Sequence, residues 1–206
     1  MIDFLFYFYE YATLLIPSLI VYIVLACFAK KQHIDYSIKF IKLQLFVLYI
    51  YGIFYITGPG ALYDIGKYEE IIRPSEINLI LFGTDAILTY VLNILLFVPF
   101  GFLIPFTWSK ARGFANIGLS SFIFSFLIEI MQLFNRRNSD INDLVMNTIG
   151  GLMGYAFYIL LVKQKTKKID GKSLTRYDHL IYISSMCIFH FFCHDWRALA
   201  RYLGLY

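Results

Sequence analysis

Residues 125–151 read SFLIEIMQLFNRRNSDINDLVMNTIGG and hold most of the groups in this chain that could do chemistry. Glu129 sits in the middle of an apolar run. Arg136, Arg137, Asp140 and Asp143 follow closely, and Asn147 lies inside the next apolar run. A buried glutamate can serve as a general acid or base. An arginine beside it can hold a phosphate or carboxylate. Two carboxylates on separate helices can divide such roles between them.

These groups matter only if helices bring them together. Positions i, i+4, i+7 and i+8 share a helical face. Ser121, Ser125, Glu129 and Gln132 therefore form one polar stripe, and Asp85, Thr89 and Asn93 a second. Asp143, Asn147, Gly150 and Gly154 share a third face. From the helical rise alone, Asn93, Glu129 and Asn147 lie at a similar depth, on the order of 6–12 Å below the exterior ends of their spans. Asn93, Glu129, Gln132, Arg137, Asp140, Asp143 and Asn147 are expected to ring one polar pocket open to the exterior. A purely structural alternative pairs Glu129 with Arg137 and Asn147 to lock two helices. Interhelical polar contacts contribute only ~0.6 kcal/mol each on average, so packing alone does not call for so many.

The positioning elements follow from composition. Of 206 residues, 59% are hydrophobic and 16% charged, against about a quarter charged in soluble domains. Apolar segments recur at 11–29, 40–57, 87–107, 114–134, 144–162 and 178–194, each near the ~20 residues that cross a ~30 Å hydrocarbon core. The expectation is an all-α, polytopic helical membrane protein of five or six transmembrane helices. Its parts are an N-terminal transmembrane helix (1–37), a helical membrane core (38–162), and a basic cytoplasmic linker with a C-terminal helical segment (163–206).

Lysine and arginine set the orientation. The loops after the first, third and fifth segments hold 12 of the 18 basic residues, which puts both termini outside. MIDFLFYFYE has neither a basic n-region nor a cleavage signature and reads as part of a retained first span. The exterior stretch 58–86 opens with a GPG turn and reads as surface-lying or partly re-entrant. A net charge of +4 without a basic stripe excludes nucleic acid as a partner.

Three smaller signals remain. Gly150 and Gly154 form GxxxG, which admits a close helix neighbour. Pro99 and Pro105 are expected to bend the third span and free carbonyls. Cys187, His190 and His194 share one face at i, i+3 and i+7, but three ligands on one short helix without a converging fourth group do not make a metal site. No metal or cofactor is expected. The basic run LVKQKTKKIDGK is expected against anionic headgroups, and the Tyr and Phe residues in packing and interfacial belts.

The run NILLFVPFGFLIPF, then SFLIEIMQLF, then RRNSDINDLVMNTIGGLMGY resembles the VanZ-like family of membrane proteins over about residues 38–162. The residues that carry the resemblance are Asn93, Pro99, Gly101, Ser125, Glu129, Gln132, Arg137, Asp140, Asp143, Asn147, Gly150 and Gly154 in order. INLILF is similar to an Asn-Leu-x-Pro-Phe element of the family, with Leu81 where proline is usual. The resemblance implies a role in low-level resistance to teicoplanin, a lipoglycopeptide that binds the D-Ala-D-Ala end of cell-wall precursors. It implies a phenotype and not a reaction.

Two readings follow. The chain lowers susceptibility to lipoglycopeptides by binding or shielding an envelope lipid, a lipid-linked cell-wall precursor or the antibiotic in the outward pocket. Alternatively it is a membrane-embedded hydrolase or transferase on a lipid-linked envelope substrate, with Glu129 as general acid or base. A proton-coupled transporter is a third class, disfavoured by the lack of inverted repeats. Membrane lipids are partners in every case.

Overall fold

The computed structural model describes residues 2–34, 36, 38, 40–65, 67, 74–83, 87–135, 137–162 and 173–194. Asp85, Arg136, Asp195 and most of the basic run after Val162 lie outside the described residues.

Six α-helices are described: α1 (Ile2–Lys31), α2 (Phe40–Thr57), α3 (Ile87–Thr107), α4 (Phe114–Gln132), α5 (Ile141–Leu161) and α6 (Asp178–Cys193). The first five are long and apolar enough to cross a membrane. The bounds of α2 and α3 coincide with the expected segments. The first helix begins nine residues before the expected position 11, because the aromatic run from Phe4 to Tyr9 carries the apolar pattern past Glu10. At its other end α5 starts at Ile141, three residues before expectation, because Asp140 caps it.

At 16 residues α6 falls short of the usual spanning length, at roughly 24 Å by helical rise. Its contacts nevertheless run from one end of the bundle to the other. Near its start, Ser173 and Leu174 accept hydrogen bonds from Lys110 after α3, and the His179 ring meets the Ser120 hydroxyl at 2.6 Å. At its end the Cys193 carbonyl accepts from the Tyr9 hydroxyl near the start of α1. The beginning of α1 and the end of α6 therefore share one face of the molecule.

The tightest packing is between α3 and α5. A Cβ at Gly154 would lie 1.9 Å from the Val98 carbonyl oxygen, one at Gly150 2.3 Å from that of Ile94, and one at Gly101 1.7 Å from that of Gly151. Small residues let these backbones touch, so the GxxxG face is turned to α3. On α4, Ser121 fills the remaining approach, its hydroxyl 1.9 Å from a Cβ position at Gly151. The core beside this seam is aromatic: Phe97, Phe100 and Phe124 are fully buried, with Phe100 and Phe124 stacked at 5.0 Å.

Pro99 and Pro105 lie within α3 without ending it. The carbonyl of Leu96 accepts from the Tyr49 hydroxyl at 2.6 Å. At the far end of α3, Lys42 donates to the Phe106 carbonyl (2.6 Å) and Arg112 to that of Pro105 (3.2 Å). These two cations satisfy carbonyls that a helix C-terminus leaves open, and they complement its dipole. Lys42 is therefore buried against α3 and is not a free loop charge.

Candidate functional site

The site is built where α4 ends and α5 begins. Asp140 is the N-cap of α5, its Oδ1 accepting from the Asn142 backbone N–H at 2.7 Å. Aspartate suits that position because it satisfies an orphan donor and meets the positive end of the helix dipole. Ser139 donates from its hydroxyl to the Glu129 carbonyl (3.1 Å), and the Asp140 N–H donates to Glu129 Oε2 (2.9 Å). The connection between the helices is thus folded back onto the last turns of α4, and it holds the Glu129 carboxylate over the cap.

Segment 74–83 covers this corner. Ile77–Asn78 (β1) pairs in parallel with Ser139–Asp140 (β2). Asn78 donates to Asp140 Oδ2 at 3.0 Å, so the two oxygens of Asp140 are divided between the cap and the covering segment. Asn142 is fully buried. Its amide nitrogen donates to the Ile80 carbonyl (3.0 Å) and to Asp140 Oδ1 (2.9 Å), and its oxygen accepts from the Phe82 N–H (2.8 Å). Phe82 has φ +54°, an unfavourable conformation for a bulky residue. Asn142 holds it there.

Of the seven residues expected to ring one pocket, four are together. Asn93 on α3 donates from its amide to Asp143 Oδ1 in the first turn of α5. Asp140 and Asp143 both lie close enough to Glu129 to act on it electrostatically. The other three are placed differently. Asn147 is buried one turn deeper and donates to the Ser125 hydroxyl at 2.9 Å, with its amide oxygen unpartnered. Gln132 is buried and donates to the Thr57 carbonyl at the end of α2 (2.8 Å). Arg137 lays its guanidinium over Gly58, with Nη2 3.0 Å from where a Cβ would stand. Gln132 and Arg137 thus fasten the GPG loop and do not face the carboxylates. Arg137 lies past the end of α4, where helical spacing no longer predicts direction, and Gln132, the last residue of that helix, turns to the open carbonyl at the end of α2.

Asn78 and Asn142 complete the corner and were not among the expected pocket residues. Asn78 lay within the family-like INLILF. Asn142 had no periodic signal, since its role is to grip backbone from a distant loop. Together the groups form an acceptor-rich patch of three carboxylates edged by three primary amides. Such a patch suits hydroxyl, amide or ammonium donors. Among the described residues, no three His, Cys, Asp or Glu side chains are grouped so as to hold a metal ion.

This geometry lies inside a recognisable stretch of sequence. A family model described as VanZ/LLP1 matches residues 46–162. The chain belongs to the VanZ/LLP1 family. That match takes in most of α2, all of α3, α4 and α5, and every residue of the acidic corner, but leaves α1 and α6 outside. Within VanZ/LLP1, Protein VanZ of Enterococcus faecium is similar, at 35% identity over 80 residues, 38% of this chain and 49% of that protein. The uncharacterized membrane protein YwnJ of Bacillus subtilis (strain 168) is 30% identical over 63 residues, 31% of this chain and 45% of that protein. The chain spans about half the length of the curated relatives it matches. No solved structure matches it. The chain is thus a multi-pass membrane protein of the VanZ/LLP1 family.

Proposed function

We propose that this protein lowers susceptibility to lipoglycopeptides such as teicoplanin by binding, at its acidic corner, the hydroxyl, amide or ammonium donors of an envelope component or of the antibiotic itself. The observation that carries the reading is the convergence of Glu129, Asp140 and Asp143 from two helices beneath Asn78 and Asn93. The acids sit at the helix ends on the face opposite the lysine-rich connections. By the positive-inside rule that face is extracytoplasmic, where lipid-linked precursors and lipoglycopeptides meet. The resistance phenotype associated with VanZ-like proteins supports the same assignment.

The test is to measure teicoplanin and vancomycin binding to membranes with and without the protein at matched precursor content. The expected result is changed teicoplanin binding with a smaller change for vancomycin, which lacks the lipid tail. Identical binding of both drugs with and without the protein overturns the reading.

One observation favours a catalytic variant of it. The Glu129 carboxylate is oriented by the Asp140 N–H beside two further acids, an arrangement that fits acid–base chemistry on a lipid-linked substrate. A Glu129→Gln protein expressed at the wild-type level separates the two. Abolished resistance favours catalysis, and partial loss favours binding.

A further inference from the structure

A cavity of about 240 Å³ lies on the other side of the GPG loop, between α1, α2 and α6, with its α2 and loop walls inside the family match and its α1 and α6 walls outside it. Glu10 from α1 reaches it, with a side chain only 12% exposed. That carboxylate accepts from the Tyr51 hydroxyl and stands 3.6 Å from His194 Nε2, an ion pair only when that ring is protonated. His190 also lines the cavity and is only 4% exposed. Its ring bonds to the backbone of Pro59. Proline has no N–H, so the carbonyl accepts and the imidazole spends its proton there. The other nitrogen, Nε2, is buried without any hydrogen-bond partner. In the neutral ring it carries a lone pair. A buried acceptor left unmatched costs roughly 1–3 kcal/mol, so something with a proton to give is expected beside it.

The remaining walls are aromatic. Phe54 packs on the His190 ring at 4.6 Å, and Tyr51, Tyr55 and Phe6 also line the cavity, with Leu14 and Gly58. Among the described residues, no lysine or arginine lines the cavity. A carboxylate, an imidazole lone pair and several π faces in one hollow all favour the same occupant, a cation that carries hydrogen-bond donors. The geometry points to this cavity as a binding site for a primary ammonium group, with Glu10 as counter-ion and His190 Nε2 as hydrogen-bond acceptor. The volume admits a headgroup-sized amine and not a glycopeptide. The same chemistry is available from a free small amine or from an aminophospholipid headgroup entering from the membrane surface.

The test uses the full chain in phosphatidylcholine nanodiscs, with ethanolammonium as probe and ethylene glycol, its near-isosteric neutral counterpart, as control. Calorimetry or ligand-observed NMR is expected to show saturable ethanolammonium binding and none for the glycol. Glu10→Gln, which keeps shape and removes charge, is expected to weaken binding at least ~10-fold. Tyr55→Leu, at an exposed rim position, is expected to weaken it ~3-fold. Nanodiscs of phosphatidylethanolamine separate the two sources. Loss of free-probe binding there, with that lipid retained in native mass spectra, identifies the headgroup, and unchanged probe binding identifies a free amine. Absence of saturable binding to the wild-type protein in phosphatidylcholine overturns the proposal, whatever the variants do. So does an affinity unchanged in both variants, or equal binding of the glycol, which would mean the cavity holds only water or any small solute.

Discussion

Asn142 shows how much one buried amide can fix. Its side chain contacts the N-cap aspartate of its own helix and two backbone groups of the covering segment. Replacing it leaves the Phe82 N–H and the Ile80 carbonyl, whose hydrogen bonds to it are half-buried, without those partners. Asn142→Ala is expected to cost about 1–3 kcal/mol for the unmet polar groups. Because Phe82 holds a positive φ, the release should be local. Hydrogen exchange at the Phe82 amide is expected to accelerate strongly, and an unchanged rate would remove Asn142 as the clamp. Glu129 depends on the same turn, since its carboxylate is aimed by the Asp140 N–H.

At the scale of elements, the glycine seam decides which helices are neighbours. Sequence spacing joins α4 and α5 through their short connection, and they do pack. The closest approach is nevertheless between α3 and α5, where carbonyl oxygens occupy the space a side chain would need. Gly154→Leu is therefore expected to force α3 and α5 apart and to destabilise by at least 1–3 kcal/mol, the range for overpacking. Gly52 in α2 supplies the contrast, having nothing within 4 Å of a Cβ. Gly52→Ala should be neutral or stabilising by about 0.5–1 kcal/mol, since glycine in a helix interior is unfavourable. Loss of helical signal in titrations with denaturing detergent reads both. Equal midpoints for the two variants would refute the seam.

For the whole molecule, the GPG loop is the joint between two halves. The Gly60 N–H donates to the Met131 carbonyl, Asn135 and Gln132 donate to the Gly58 and Thr57 carbonyls, and His190 bonds to Pro59 from the opposite side. The acidic corner and the cavity lined by Glu10 and His190 therefore share a wall on one face of the bundle. If that face is extracytoplasmic, a membrane-impermeant maleimide on intact cells labels a cysteine at Tyr63 and spares one at Lys110, with the three native cysteines first replaced. Labelling at Lys110 alone would invert the topology and take the acidic corner away from any lipoglycopeptide.

The sequence by itself determined the class and the helices, while the depth it gave Asn147 was one turn too shallow. Apolar length and helical period are local properties, and a lipid solvent leaves a long apolar run little choice but a helix. The grouping of Asn93, Asp140, Asp143 and Glu129 was legible for the same reason, since each lies on or directly beside a regular helix. Only the tertiary structure decided where Gln132 and Arg137 point, that Asn142 and Asn78 close the corner, and that Glu10 and His190 line one cavity from opposite ends of the chain. Those contacts join segments far apart in sequence or lie past a helix end, where no period carries direction and the side chain goes to whichever unmatched backbone group the packing presents.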